Sequence, residues 1–150
     1  MLKREMVNKF LTAMLLTIGL SSSWLSHAEV TEQQQIFDTL KKTQHWGLVR
    51  SGTTCIEKYN FMPSGEISIA SHKERITGRY SFLENTERFG LPAVVIYFNT
   101  DNKQPDCSGD STNQAGLNTT NFLKKVSDQE IYFCNDALGK DCPVYIKPQK

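Results

Sequence analysis

The side chains whose chemistry is most readily assigned from this sequence are those of four cysteines: Cys55, Cys107, Cys134 and Cys142. In an oxidising compartment an even number of cysteines is typical of disulfide bonds. Three pairings are open, and the short segment between Cys134 and Cys142, with Gly139 for a turn, favours Cys134–Cys142 together with Cys55–Cys107. A zinc site is the alternative. Because the chain contains no C-x-x-C pair, we expect no metal.

Histidine catalysis would have to use His45 or His72. His45 follows a predicted helix, where interaction with the helix dipole accounts for it, and His72 lies in a charged turn. The chain contains no nucleophile elbow, HExxH motif, P-loop or dinucleotide fingerprint. We therefore expect a protein that is not an enzyme, with no catalytic residues and no cofactor.

Glu57 is the acidic residue whose position is most informative. Alternation places Glu57, Tyr59 and Phe61 on one face of a predicted strand. A carboxylate inside a protein is unfavourable unless it is paired or hydrogen-bonded, and Arg75 or Arg79 is a possible partner across the sheet. If this face is interior, Glu57 is a polar anchor in a ligand pocket. If the face is exterior, Glu57 is an ordinary surface residue.

Two loops carry further candidate groups. Asp101, Asp106 and Asp110 lie in a polar stretch over residues 101–116 and have oxygen ligands suited to calcium. Their spacing is not that of an EF-hand, so a solvated loop is the preferred interpretation. The segment between Cys134 and Cys142, if closed by a disulfide, is either a structural staple or a rigid loop for protein binding.

One helix is predicted at residues 32–42. Thr31 begins a capping-box pattern, and Ile36, Phe37 and Leu40 fall on one helical face.

Short strands follow this helix to the end of the sequence. They are predicted at residues 46–49, 54–61, 66–71, 75–82, 92–100, 130–134 and 143–147, while residues 119–126 fit either a short helix or a strand. Strands and helices do not alternate. The sequence therefore predicts a mainly β fold, a small antiparallel barrel or sandwich with one N-terminal α-helix.

The N-terminus is predicted to be a signal peptide. Basic residues precede an apolar run at residues 10–20, and Ser26-His27-Ala28 matches a signal peptidase site. Eleven apolar residues are too few to span a bilayer, which needs about 20. We expect cleavage after Ala28, export to the periplasm or the medium, and one domain over residues 29–150.

The charge of the exported part excludes two classes of partner. The chain has 17 basic and 16 acidic residues, and residues 1–28 hold three of the former and one of the latter. The remaining 14 and 15 give a net charge of −1. We therefore expect no binding to nucleic acid or to an anionic membrane, and no membrane span.

The predicted order of elements resembles the lipocalin-like (calycin) barrels. The resemblance rests on Trp46 after the helix, the hairpin around Pro63-Ser64-Gly65, the Gly78-x-Tyr80 pattern, and Thr100-Asp101 at the end of a strong strand. The family's G-x-W start is absent, because Gln44 stands two residues before Trp46. The resemblance implies a barrel that takes a small apolar ligand.

The sequence thus gives two expectations for function. The first is an exported binding protein for a small apolar or amphipathic ligand, contacted by Glu57, Tyr59, Phe61, Tyr80 and Phe82. The alternative is a protein-binding module, such as an inhibitor of a secreted enzyme or an immunity protein, acting through residues 101–116 or 134–142.

Overall fold

The structure is a computed structural model that describes residues 31–85 and 90–150. The predicted signal peptide, residues 1–28, lies outside the described residues. One helix, α1 (Glu32–Thr43), precedes eight strands: β1 (His45–Arg50), β2 (Glu57–Phe61), β3 (Glu66–Ser71), β4 (Glu74–Leu83), β5 (Ala93–Asp101), β6 (Asn118–Ser127), β7 (Glu130–Cys134) and β8 (Val144–Pro148). Each strand pairs antiparallel with the next, and β8 pairs with β1 to close the barrel.

These elements confirm the mainly β prediction and decide between its two forms in favour of a barrel. The ambiguous segment over residues 119–126 belongs to strand β6. Exposed residues alternate with half-buried ones in the first part of this strand. Pairing with β5 and β7 satisfies the hydrogen-bonding groups of its backbone. The tertiary pairing therefore determines a conformation that local propensity leaves open.

Helix α1 forms where its capping pattern predicts. The Thr31 hydroxyl accepts a hydrogen bond from the Gln34 backbone N–H at 3.2 Å. Ile36, Phe37 and Leu40 are buried on one face, as the sequence predicts. The helix ends at Thr43, and the next residue, Gln44, has a positive φ of 60°.

Strand β4 contains a bulge that only glycine accommodates. The register between β4 and β5 shifts between Thr77 and Gly78. A Cβ atom on Gly78 would overlap the carbonyl of Tyr97 on β5. Because the two backbones approach this closely, the bulge increases the local bend of the strand and helps the sheet to close.

One end of the barrel, which we call the closed end, is covered by α1 and packed with aromatic side chains. Phe37 of the helix stacks on Phe82 with ring centroids 4.2 Å apart, and Tyr80 packs edge-on against both Phe61 and Phe82. The Trp46 indole N–H donates to the Leu40 carbonyl at 3.2 Å. These contacts fill the interior at this end.

The opposite end, which we call the open end, is held by both disulfides. Cys55–Cys107 joins the segment between β1 and β2 to the loop between β5 and β6. Cys134–Cys142 closes the connection from β7 to β8. The pairing that the sequence favours is the one present in the structure.

Candidate ligand-binding site at the open end

A cavity of about 510 Å³ lies at the open end of the barrel. Its wall comes from strands β1, β2, β5, β6 and β8, from the end of β7 and from two loops. The lining residues are Leu48, Arg50, Glu57, Tyr59, Phe98, Gln114, Thr119, Asn121, Phe133, Asn135, Pro143 and Val144. The cavity has the size typical of small-molecule sites, roughly 300–1,000 Å³.

The deeper part of this cavity is apolar. Leu48, Phe98 and Phe133 are buried inward-facing side chains of three different strands, and Val144 packs against them. Tyr59 stands between this apolar floor and the closed end, since its ring lies edge-on to Phe133 and near Phe61. A ligand group placed here would exchange water for aliphatic and aromatic contacts.

Glu57 and Tyr59 form the polar pair of the cavity. The Tyr59 hydroxyl donates to a carboxylate oxygen of Glu57 at 3.3 Å. Burial raises the pKa of Glu57, while the positive charge of Arg50 and the bond from Tyr59 act in the opposite direction. Burial and the nearby Glu57 carboxylate raise the pKa of Tyr59, so its hydroxyl stays protonated and remains a donor.

Arg50 is the basic residue of the cavity. It lies at the end of β1 on the same inward side as Leu48, and it is exposed. Arg75 and Arg79, the partners considered for Glu57 from the sequence, are exposed on β4, where the buried residues alternate with them. The alternation of β4 directs those two side chains outward, so the positive charge beside Glu57 comes from β1.

Glu74 is a second buried acid at the open end. It is 4% exposed, and the Gln114 side-chain amide donates to its Oε1 at 3.0 Å. Burial raises the pKa of Glu74, and the hydrogen bond from Gln114 partly opposes that effect. Gln114 also lines the cavity, so the buried Glu74 carboxylate is hydrogen-bonded to a residue of the cavity wall.

The loop between β5 and β6 is ordered by its own aspartates. The Asp106 carboxylate accepts from the backbone N–H groups of Ser108 and Asp110, each at 2.8 Å, and Asp101 accepts from Gln114 N–H at 2.7 Å. The Asp110 carboxylate accepts from Thr112, so all three carboxylates in which the sequence suggested oxygen ligands are used in hydrogen bonds within the loop. Over residues 31–85 and 90–150, no group of three or more histidine, cysteine or acidic residues is placed to hold a metal.

The structure separates the five predicted ligand residues into two groups. Glu57 and Tyr59 line the cavity at the open end. Phe61, Tyr80 and Phe82 belong to the packed aromatic cluster at the closed end. All five face inward, but helix α1 covers the end at which the last three lie.

Several cavity residues were not found from the sequence. Arg50, which lines the cavity, lies just beyond the predicted first strand, and Glu74, which contacts the cavity residue Gln114, lies just before the strand predicted at residues 75–82. Continuing the alternation of Ile76, Gly78 and Tyr80 by one step towards the N-terminus would have placed Glu74 on the inward face. No sequence signal distinguishes Asn121, because its segment was ambiguous between helix and strand.

In comparisons with models of protein families, with curated proteins and with solved structures, no match to this chain was found. The closed eight-strand barrel, with one helix in the part of the chain that the structure describes, is consistent with the lipocalin-like outline. Within the part of the chain that the structure describes, no helix is long and apolar enough to cross a membrane.

Proposed function

We propose that this protein is an exported, non-enzymatic binding protein of lipocalin-like type that takes a small apolar or amphipathic ligand at the open end of its barrel. The observation that carries this proposal is the cavity of about 510 Å³, in which an apolar floor meets a few polar groups. Such a combination is typical of sites for small ligands, because burial supplies affinity and convergent polar groups fix orientation.

The arrangement of the cavity determines how the ligand lies. Its apolar part packs on Leu48, Phe98 and Phe133, which are buried. Its polar part lies beside Glu57 and Arg50, nearer to solvent. Since the aromatic cluster and α1 fill the other end, the ligand enters and leaves through the open end only.

The disulfides at the open end support the proposal that the protein is exported. Two disulfides, Cys55–Cys107 and Cys134–Cys142, connect the loops that surround the cavity, and the described residues contain no free cysteine. Disulfides of this kind persist in oxidising compartments. The proposal therefore places the protein in the periplasm or outside the cell.

A matched pair of variants on β6 tests the site. Thr119 faces the cavity, whereas its neighbour Thr120 faces away and is exposed. We expect Thr119→Phe to fill the cavity and to weaken binding of the uncharged fluorophore N-phenyl-1-naphthylamine by about tenfold or more, since the ring takes the ligand's volume. The measurement is a fluorescence titration of the purified, disulfide-bonded protein.

Thr120→Phe is the control, because it adds the same side chain on the outer surface. We expect it to bind the fluorophore as the original protein does. Equal affinities for both variants, with melting temperatures unchanged, would contradict a ligand site in this cavity.

A second candidate function, protein binding, is favoured by the loop closed by Cys134–Cys142. The Asp136 carboxylate accepts from the backbone N–H groups of Asp141, Leu138 and Lys140 at 2.7–2.9 Å, which fixes the loop. The Leu138 side chain is nevertheless 56% exposed. A rigid loop that presents an apolar side chain suits a protein partner because little entropy is lost on binding.

The double variant Leu138→Asp with Lys140→Glu tests this second function. The Asp136 hydrogen bonds use backbone N–H groups, which both substitutions leave in place, so we expect an unchanged melting temperature. If the loop binds a secreted enzyme, the double variant loses the inhibition of that enzyme in a panel assay. Inhibition that persists unchanged would exclude the loop as the contact.

A further inference from the structure

A second concave surface lies on the outside of the barrel, across strands β1 to β4. This surface, which we call the outer groove, has a volume of about 580 Å³ and is separate from the cavity at the open end. Its outward-facing lining residues include His45, Lys58, Asn60, Ala70 and Arg75.

The register of the strands explains why the surface is concave. Gly47, Lys58, Ala70 and Arg75 are neighbours across β1, β2, β3 and β4. The two small residues alternate with the two long ones, so Lys58 and Arg75 stand above a low apolar floor. The side chain of Gln149 borders the groove at Gly47, where a Cβ atom would overlap it.

The charge of the outer groove has one sign. The side chains of Lys58 and Arg75 line it together with that of His45, and none of its lining side chains is acidic. Arg75 is held in place, since its guanidinium donates to the carbonyls of His72 at 2.9 Å and Glu74 at 2.6 Å. The remainder of the exported chain is slightly acidic, so this concentration of positive charge is local.

The groove also contains an unsatisfied hydrogen-bond acceptor. The Oδ1 atom of Asn60 is buried and has no partner, and no other side-chain nitrogen or oxygen in residues 31–85 and 90–150 is in that condition. Asn60 lies between His45 and Ser68 in the register. A buried acceptor without a donor is unfavourable, so a hydroxyl or amide donor on a bound molecule would be stabilising here, whereas a deprotonated anionic group has no donor for it.

We propose that the outer groove binds a small amphipathic anion, whose apolar part lies on the floor at Ala70 and whose sulfate, phosphate or carboxylate group lies between Lys58 and Arg75. Opposite charge favours this class of ligand, and the mainly small, apolar floor favours a molecule with a hydrocarbon part. The concave shape fits a single small molecule rather than the flat surface of a membrane.

Decyl sulfate below its critical micelle concentration is the probe, with uncharged decyl maltoside as its counterpart. Amide chemical shifts of the isotope-labelled, disulfide-bonded protein are followed during each titration. We expect decyl sulfate to shift the amides around Lys58, Asn60 and Ala70 in a saturable manner, and decyl maltoside to bind there at least severalfold more weakly.

Two variants separate the charge from the floor. Lys58→Glu should weaken decyl sulfate binding about fivefold or more, because an attraction is replaced by a repulsion. Ala70→Phe should block the floor without unfolding the protein, since residue 70 is only half-buried and faces outward. Lys124→Glu, on the distant strand β6, carries the same charge change and should leave the affinity unaltered.

Three results would overturn the proposal. The first is a set of shifts confined to the open end, around Arg50 and Glu57. The second is equal binding of decyl sulfate to the original protein and to Lys58→Glu. The third is binding to phosphatidylglycerol vesicles without binding to monomeric decyl sulfate, which would assign the groove to a membrane surface. The Thr119→Phe test uses a different probe and a different variant, so the two sites are judged separately.

Discussion

At the level of single residues, a buried carboxyl group, that of Glu74, and a half-buried one, that of Glu57, distinguish the open end. Glu57 and Glu74 both have a raised pKa, chiefly because burial disfavours the charged form. Within residues 31–85 and 90–150, neither carboxylate has a basic side chain within 4 Å. Each is instead held by one neutral side chain, Tyr59 for the first and Gln114 for the second.

A raised pKa has a definite consequence for stability. Between the ordinary pKa of 4.5 and the raised pKa, the unfolded chain has largely released the Glu74 proton while the folded protein still holds it. The folded state therefore binds more protons, and the free energy of unfolding falls as pH rises through the raised pKa. Glu57 contributes with the same sign.

Glu74→Gln should therefore stabilise the protein at neutral pH. The glutamine carbonyl still accepts from Gln114, but no buried charge remains. We expect the variant to exceed the original protein in denaturation midpoint at pH 7 and to lose that advantage near pH 4. The measurement is urea unfolding across this range, with the exposed Glu84→Gln as the control. A stabilisation that is the same at both pH values would contradict the assignment.

At the level of elements, alternation and capping residues explain what could be predicted from the sequence. Helix α1 and most of the strands lie within a few residues of their predicted positions, because their apolar residues recur at the right spacing. Strand β2 is shorter than predicted: it begins at Glu57, and residues 54–56 lie in the loop that Cys55 ties to Cys107. The disulfide, rather than the alternation, determines the conformation of that segment.

The two disulfides should differ in their contribution to stability. Cys55–Cys107 spans 52 residues and Cys134–Cys142 spans 8. Loop-closure entropy predicts a loss of about 4 kcal/mol for Cys55→Ser with Cys107→Ser, against about 2.5 kcal/mol for Cys134→Ser with Cys142→Ser. Chemical denaturation of both double variants under non-reducing conditions measures the difference. An equal or reversed order would show that strain or local contacts outweigh loop length.

At the level of the whole molecule, the barrel has two unlike ends. Inward-facing side chains are predictable from alternation, and Glu57, Tyr59, Phe61, Tyr80 and Phe82 do face inward. Which of them surround a cavity depends on how α1 packs and where the chain closes, and no local pattern in the sequence contains that information. The predicted ligand face therefore divides between a packed closed end and a cavity at the open end.

We propose that the ligand binds at the open end. The apolar floor and the two disulfide-bound loops would then form one preorganised site, so that little conformational entropy is lost on binding. Both disulfides lie near the cavity and neither lies near the aromatic cluster. This arrangement is expected if the loops around the cavity must keep a fixed shape.

Native mass spectrometry of the protein purified from an oxidising secretory compartment is the most direct test of a ligand site at the open end. We expect a stoichiometric adduct of a few hundred daltons, present in the original protein and in Thr120→Phe but absent from Thr119→Phe. Its mass would identify the class of ligand. A spectrum that contains only the mass of the chain, or an adduct that Thr119→Phe retains, would contradict a ligand site at the open end.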